Sequence, residues 1–260
     1  MQPLALVLLA NGTNRHLDLC AALELAGARA EVVPLNELRA GRRRFADYHI
    51  LALPGGFSYA DALGAGKLLA LDLQVYFADE IQAFVASGRP VIGICNGFQA
   101  LVKAGILPAL PDDPTYPQAT LTFNASGHFE CRWVTLTPRS QKCIWTRGLT
   151  EPIDCPVAHG EGNFVTATPH LLNRLQDNDQ IALTYACPDG QPAGQAYPYN
   201  PNGSAGGVAG VCNPQGNVLG LMPHPENHIY AYQHPRRARG AQGRAGLALF
   251  TAGVRYAKEC

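Results

Sequence analysis

The chain has 260 residues, of which 47% are hydrophobic and 15% charged, and 20 basic side chains balance 20 acidic ones to a formal net charge of zero. This composition allows a substantial buried core and excludes a disordered chain, and the lack of a basic field argues against nucleic acid as the main partner. The length suits one large α/β domain, taken as residues 1–260.

The opening "MQPLALVLLANGTN" lacks a basic start, and its apolar run is too short for a secretion signal. Leu4 to Leu9 is therefore read as a first buried strand. A helix is expected over Arg15 to Ala26, ended by Gly27, and short strands over Ala30 to Val33 and Ile50 to Leu53. Phe77, Ile81, Phe84 and Val85 share one face of a helix predicted over Val75 to Ala86, with Gly88 as its stop. Pro90 to Ile94 reads as a strand and Phe98 to Ala104 as a helix. The βαβ rhythm predicts a parallel sheet with helices on both faces. Beyond a proline-rich loop from Pro108 to Pro117, the runs "HFECRWVTLTP", "IALTYA", "GGVAGVCN" and "GNVLGLMP" predict an antiparallel β extension, and Arg244 to Lys258 a closing helix. No segment is long enough to cross a membrane. The eight cysteines include no C-x-x-C pair, so reduced thiols, a cytoplasmic location and no metal site are expected. The basic runs at Arg42 to Arg44 and Arg236 to Arg239 are read as solvated surface or a partner contact.

"PVIGICNGFQALVKAG" reads as strand, sharp turn and helix, with Gly93-x-Cys95-x-Gly97 at the turn. This is the cysteine form of a nucleophile elbow, which raises the sulfur at the carboxyl end of the sheet and at a helix N-terminus. A thiolate nucleophile needs a base. In "GNVLGLMPHPENH", His224 is followed two residues later by Glu226, a spacing that lets a carboxylate orient the ring if the backbone is extended. His159 in "AHGEG", with Glu161 at the same spacing, is the competing base. His128, His170, His228 and His234 lack such a frame and read as ordinary polar positions. For an oxyanion hole, "ILALPGGFS" offers the N–H of Gly56 or Phe57 to work with that of Asn96. No phosphate-binding G-x-x-x-x-G-K-[ST] occurs, and Lys67 stands in the wrong context for one.

The segments "LPGGFSYADALGAGK", "VIGICNGFQALVKAGILP", "VAHGEGNF", "NPNGS" and "GNVLGLMPHPE", in this order, resemble the class I (triad-type) glutamine amidotransferases. Within them the likeness is to the branch of glutaminase subunits of phosphoribosylformylglycinamidine synthase. The resemblance implies a flavodoxin-like α/β core and the triad Cys95, His224 and Glu226; with oxyanion donors at Gly56 and Asn96, glutamine contacts are expected from Gly55, Phe57, Gln99, His159 and Gly160. The resemblance also implies L-glutamine as nitrogen donor and a γ-glutamyl thioester on Cys95. Ammonia would pass to a separate ATP-dependent synthetase subunit that uses ATP and magnesium, with a small bridging subunit and no cofactor in this chain. "AHGEG" and "NPNGS" are expected at the pocket rim or the synthetase interface. Ala60 and Gly64 depart from the family's usual glycine and arginine, and the stretch from Asn227 to Gly243 is unusually long and basic. An amidotransferase for another acceptor, a stand-alone cysteine hydrolase and a non-enzymatic scaffold remain as alternatives.

Overall fold

The computed structural model describes residues 1–111, 116–240 and 245–259. Pro114 of the proline loop, residues 241–243 of the basic stretch, Arg244 and Cys260 lie outside the described residues. Strand β1 (Leu4–Leu9) leads through α1 (His16–Leu25) to β2 (Arg29–Pro34), then through α2 (Leu35–Arg39) to β3 (Ile50–Leu53). Helices α3 (Lys67–Tyr76) and α4 (Ala78–Ala86) precede β4 (Val91–Ile94), and α5 (Asn96–Lys103) follows it. The second half comprises β5 (Ala119–Thr122), β6 (Glu130–Pro138), β7 (Ile153–His159), β8 (Asn163–Thr166), α6 (Pro169–Asp177), β9 (Ile181–Ala186), β10 (Val208–Cys212), β11 (Val218–Leu221) and α7 (Leu247–Glu259).

The main sheet has nine strands in the order β2-β1-β3-β4-β11-β10-β9-β6-β7. The first five run parallel in the flavodoxin-like order, and the last four form the antiparallel extension. Strands β3, β4 and β11 are buried along their whole length, as expected of parallel strands covered on both faces. Helix α1 packs with α7, whereas α3 packs with α4 and α5. A two-stranded ribbon of β5 and β8 stands apart from the sheet, and Phe164 of β8 stacks on Phe98 of α5 at 6.1 Å.

Three expectations change. The helix predicted over 75–86 is two helices, because Phe77 leaves helical geometry (φ −134°) to bury its ring against Phe45. The closing helix begins at Leu247. Strand β7 was not predicted, since Pro156 breaks its pattern. It forms the outer edge of the sheet, where a missing N–H is tolerated. The seven described cysteines are all free thiols, with Cys143, Cys155 and Cys212 buried as small hydrophobes.

Candidate active site

Sheet register brings three distant segments together. In the parallel ladder Leu53 of β3 lies beside Gly93 of β4, and Leu221 of β11 beside Ile94. Adjacent strands lie about 4.8 Å apart. The chain therefore emerges from three neighbouring carboxyl ends as Pro54-Gly55-Gly56, Cys95 and Met222-Pro223-His224.

The middle segment is a strained elbow. Cys95 has φ 50° and ψ −104°, a conformation seldom adopted by a side-chain-bearing residue. The flanking glycines are there for space. A Cβ on Gly97 would lie 2.1 Å from the Leu53 carbonyl oxygen, and one on Gly93 2.5 Å from Leu101 Cδ1. The helix can pack this closely on the strands only without those side chains. The Cys95 sulfur lies 3.7 Å from the Ala158 carbonyl oxygen of β7.

His224 is buried at 3% exposure and Glu226 at 1%. The two meet at 2.6 Å through His224 Nδ1 and Glu226 Oε1. This leaves Nε2 as the ring nitrogen available to the Cys95 sulfur, whose negative charge acts on the imidazole. The reason expected for the His–Glu pairing, an extended spacer, is not the one found: Pro225–Asn227 form a single 3₁₀ turn. The backbone N–H of His224 donates to the Pro156 carbonyl at 2.8 Å, so the edge strand fixes the histidine. Burial alone would lower the pKa of His224, but the negative charges of Glu226 and Cys95 outweigh it and push the value up to about 10. Above its ordinary value of 6.5, this shift makes protonated His224 a stabilising element below pH 6.5, lost as pH rises through about 10.

The glycine loop closes the site. A methyl group on Gly55 would lie 2.7 Å from His224 Cε1 and 3.5 Å from Cys95 Cβ, so the bare backbone at 55 faces both groups. Gly56 has φ +141°, a conformation that strains any side chain. Among the described residues the N–H groups of Gly56 and Asn96 have no acceptor, and Asn96 is the first residue of α5, where orphan donors are expected. The Phe57 N–H, considered above as an oxyanion donor, instead donates to the Gly12 carbonyl at 3.1 Å.

Two further expectations meet different surroundings. Both ends of the Gln99 amide are engaged within the protein: Nε2 donates to the Glu161 carbonyl at 2.7 Å, and Oε1 accepts from Asn96 Nδ2 at 3.1 Å. Gln99 therefore ties the elbow helix to the 159–162 turn. Asn96 continues the network, accepting from the Ser58 N–H and donating to Asp61. Glu161 does not pair with His159. It accepts from the Ala65 N–H at 3.1 Å and faces Lys103 Nζ at 3.4 Å.

His159 is buried, and its Nδ1 sits 3.0 Å from Asn124 Oδ1. Asn124 Oδ1 also accepts from the Gly162 N–H, while Asn124 Nδ2 donates to the His128 and His159 carbonyls. The amide orientation is thus dictated, and Nδ1 of His159 must carry the proton. Burial first, and then the charge of His224, push the His159 pKa down to about 3. It is a neutral wall of the site, unsuited to the base role considered for it. The clamp residue Asn124 carries no motif that marks it in the sequence. Gly160 accepts the Asn124 N–H through its carbonyl. In "NPNGS", Asn200, Asn202 and Ser204 are buried and bond to one another and to Tyr185 and Phe164, so this motif is an internally bonded turn, of which Asn200, Pro201 and Gly203 line a surface cavity. No group of three or more His, Cys, Asp or Glu side chains among the described residues could hold a metal ion.

Residues 2–257 match the CobB/CobQ-like glutamine amidotransferase domain. A phosphoribosylformylglycinamidine synthase subunit PurQ from Treponema denticola is 52% identical over 268 residues, covering 98% of this chain and 99% of the relative. Its counterpart from Dehalococcoides mccartyi is 42% identical over 257 residues, covering 98% and 97%. Among solved structures, a chain of PurLQS from Thermotoga maritima superposes with a TM-score of 0.75 at 31% identity, covering 98% of this chain and 99% of that one. A glutamine amidotransferase from Thermotoga maritima shares the fold, with a TM-score of 0.57 at 14% identity over the whole of both chains.

Proposed function

The chain belongs to the CobB/CobQ-like glutamine amidotransferase family, and on that premise we propose that it is the glutaminase subunit of phosphoribosylformylglycinamidine synthase. The observation that carries the reading is the convergence of Cys95, His224, Glu226 and the Gly55-Gly56 loop, in a chain matched almost end to end by PurQ relatives.

The Cys95 thiolate attacks the side-chain amide carbon of glutamine, forming a C–S bond while the carbonyl electron pair moves to oxygen. The N–H groups of Gly56 and Asn96 are the donors available to that oxyanion. Protonated His224 gives its Nε2 proton to the amide nitrogen, the C–N bond breaks, and ammonia leaves a γ-glutamyl thioester. Neutral His224 then takes a proton from water, whose oxygen attacks the thioester, and the C–S bond breaks to release glutamate. Glu226 keeps its charge throughout and steadies the imidazolium. The net reaction is glutamine plus water to glutamate plus ammonia. Gly55, Phe57, His159 and Gly160 belong to the segments that surround the bound glutamine. Ammonia passes to an ATP-dependent synthetase subunit, where ATP and magnesium act, and a small third subunit bridges the two. The PurLQS assembly, one chain of which is similar to this one, supports such an arrangement.

The test is ammonia release and amidine formation with and without the cognate synthetase. The expected result is amidine made from glutamine only when both chains are present, with the synthetase alone using ammonium. A synthetase that makes amidine from ammonium but never from glutamine in the presence of this chain and the bridging subunit overturns the reading.

A further inference from the structure

Two runs of arginine stand in this chain, and the structure treats them differently. Arg42, Arg43 and Arg44 are each neutralised nearby, by Glu37, Glu31 and Asp47 at 2.7 Å. Arg236, Arg237 and Arg239 are all exposed, and among the described residues none has a carboxylate within ion-pair distance. From Asn227 to Gly243 the sequence holds these three arginines and no Asp or Glu, in a chain of zero net charge. Like charges so close repel one another, and among the described residues no ion pair offsets them.

The segment is nonetheless anchored to the body of the protein. His228 and His234 each pack a ring on Trp133 of β6 at 5.0 Å, and Ile229 is buried beneath. Gln233 Oε1 accepts from the Ile229 and Tyr230 N–H groups, both at 2.8 Å. Outward, Tyr230 and Tyr232 stack in parallel, 5.2 Å apart and 9° from coplanar, and both are exposed. Tyrosine and arginine are the residues that protein interfaces favour as anchors, and a pre-ordered platform reduces the entropy cost of docking. The segment starts directly after Glu226. It is tied back by the Gly246 N–H to the His228 carbonyl at 2.8 Å, where Gly246 lies tight against Pro225.

We infer that residues 229–240 form a docking surface for an acidic, aromatic-accepting face of the synthetase subunit, so that the partner engages the chain beside the carboxylate of the triad. This rests on the function proposed above. The test compares the full-length wild type with R236E/R237E/R239E, and with the milder R236Q/R237Q/R239Q, in binding the cognate synthetase across a salt series. The expected result is a Kd weakened about tenfold or more by the charge reversal and less by the neutral variant, and a wild-type salt dependence that the variants lose. Glutamine hydrolysis by the isolated chain stays unchanged. Variants with wild-type Kd and salt slope overturn the docking surface while leaving the glutaminase reading intact, and so does a defect confined to binding a short single-stranded RNA. A wild type that forms no complex and supports no amidine formation overturns both.

Discussion

Cys95→Ala removes glutamine-dependent amidine formation, lowering kcat by about 10⁴- to 10⁶-fold, the range seen when a nucleophile that acts as a unit with its base is deleted. Ammonium-dependent synthesis by the same complex continues at the wild-type rate. The two halves of this expectation separate chemistry from folding. Alanine keeps the Cβ that the elbow accommodates at φ 50°, and it vacates only the sulfur facing Ala158 and His224. The parallel ladder beneath, with Val91 to Gly93 paired on both sides, does not depend on the thiol. Comparing glutamine and ammonium as nitrogen sources in the assembled complex checks both halves. Glutamine-dependent turnover that persists in Cys95→Ala means another nucleophile is at work.

Glu226→Gln is expected to lower kcat by about 10²- to 10⁴-fold with KM for glutamine little changed, because the carboxylate acts through the histidine and not on substrate. The amide matches the carboxylate in size but can present N–H to Nδ1, favouring the wrong tautomer. The pH dependence carries the sign. In the wild type His224 is held protonated up to about pH 10 by the charges of Glu226 and Cys95 against its burial. The alkaline limb of kcat/KM should therefore fall near pH 10, where the proton donor to the leaving nitrogen is lost. Removing the Glu226 charge leaves burial less opposed, so the pKa falls and the alkaline limb moves to lower pH. A pH–rate profile of both proteins measures this. A limb that stays in place while KM rises would assign Glu226 to binding.

Much of this arrangement is legible in the sequence because its physics is local. The buried parallel strands are short continuous apolar runs such as "VIGI" and "ILAL", the second stopped by Pro54. The elbow shows because two glycines two residues either side of a cysteine satisfy a steric demand, the 2.1 Å approach of position 97 to Leu53 being the sharper. What is hidden depends on contacts between distant segments. Helix α3 begins at Lys67, after Gly66 in left-handed geometry and with no capping side chain, so no start signal marks it. Helix α6 does carry a signal, the Thr168 cap followed by Pro169. His159-x-Glu161 matches the spacing of His224-x-Glu226, yet Lys103 and the Ala65 N–H draw Glu161 away while Asn124 claims the ring. Spacing alone cannot separate these two pairs, and burial with its neighbours does. Likewise the two arginine runs look alike until Glu31, Glu37 and Asp47 are seen to neutralise only the first.

The most direct measurement of the central claim is acid quenching of the complex during glutamine turnover, followed by mass analysis of its peptides. The account predicts a γ-glutamyl mass increment on the peptide containing Cys95, labile to hydroxylamine and absent from Cys95→Ala. An increment on another cysteine, such as the exposed Cys131, with the Cys95 peptide unmodified throughout turnover, would contradict it.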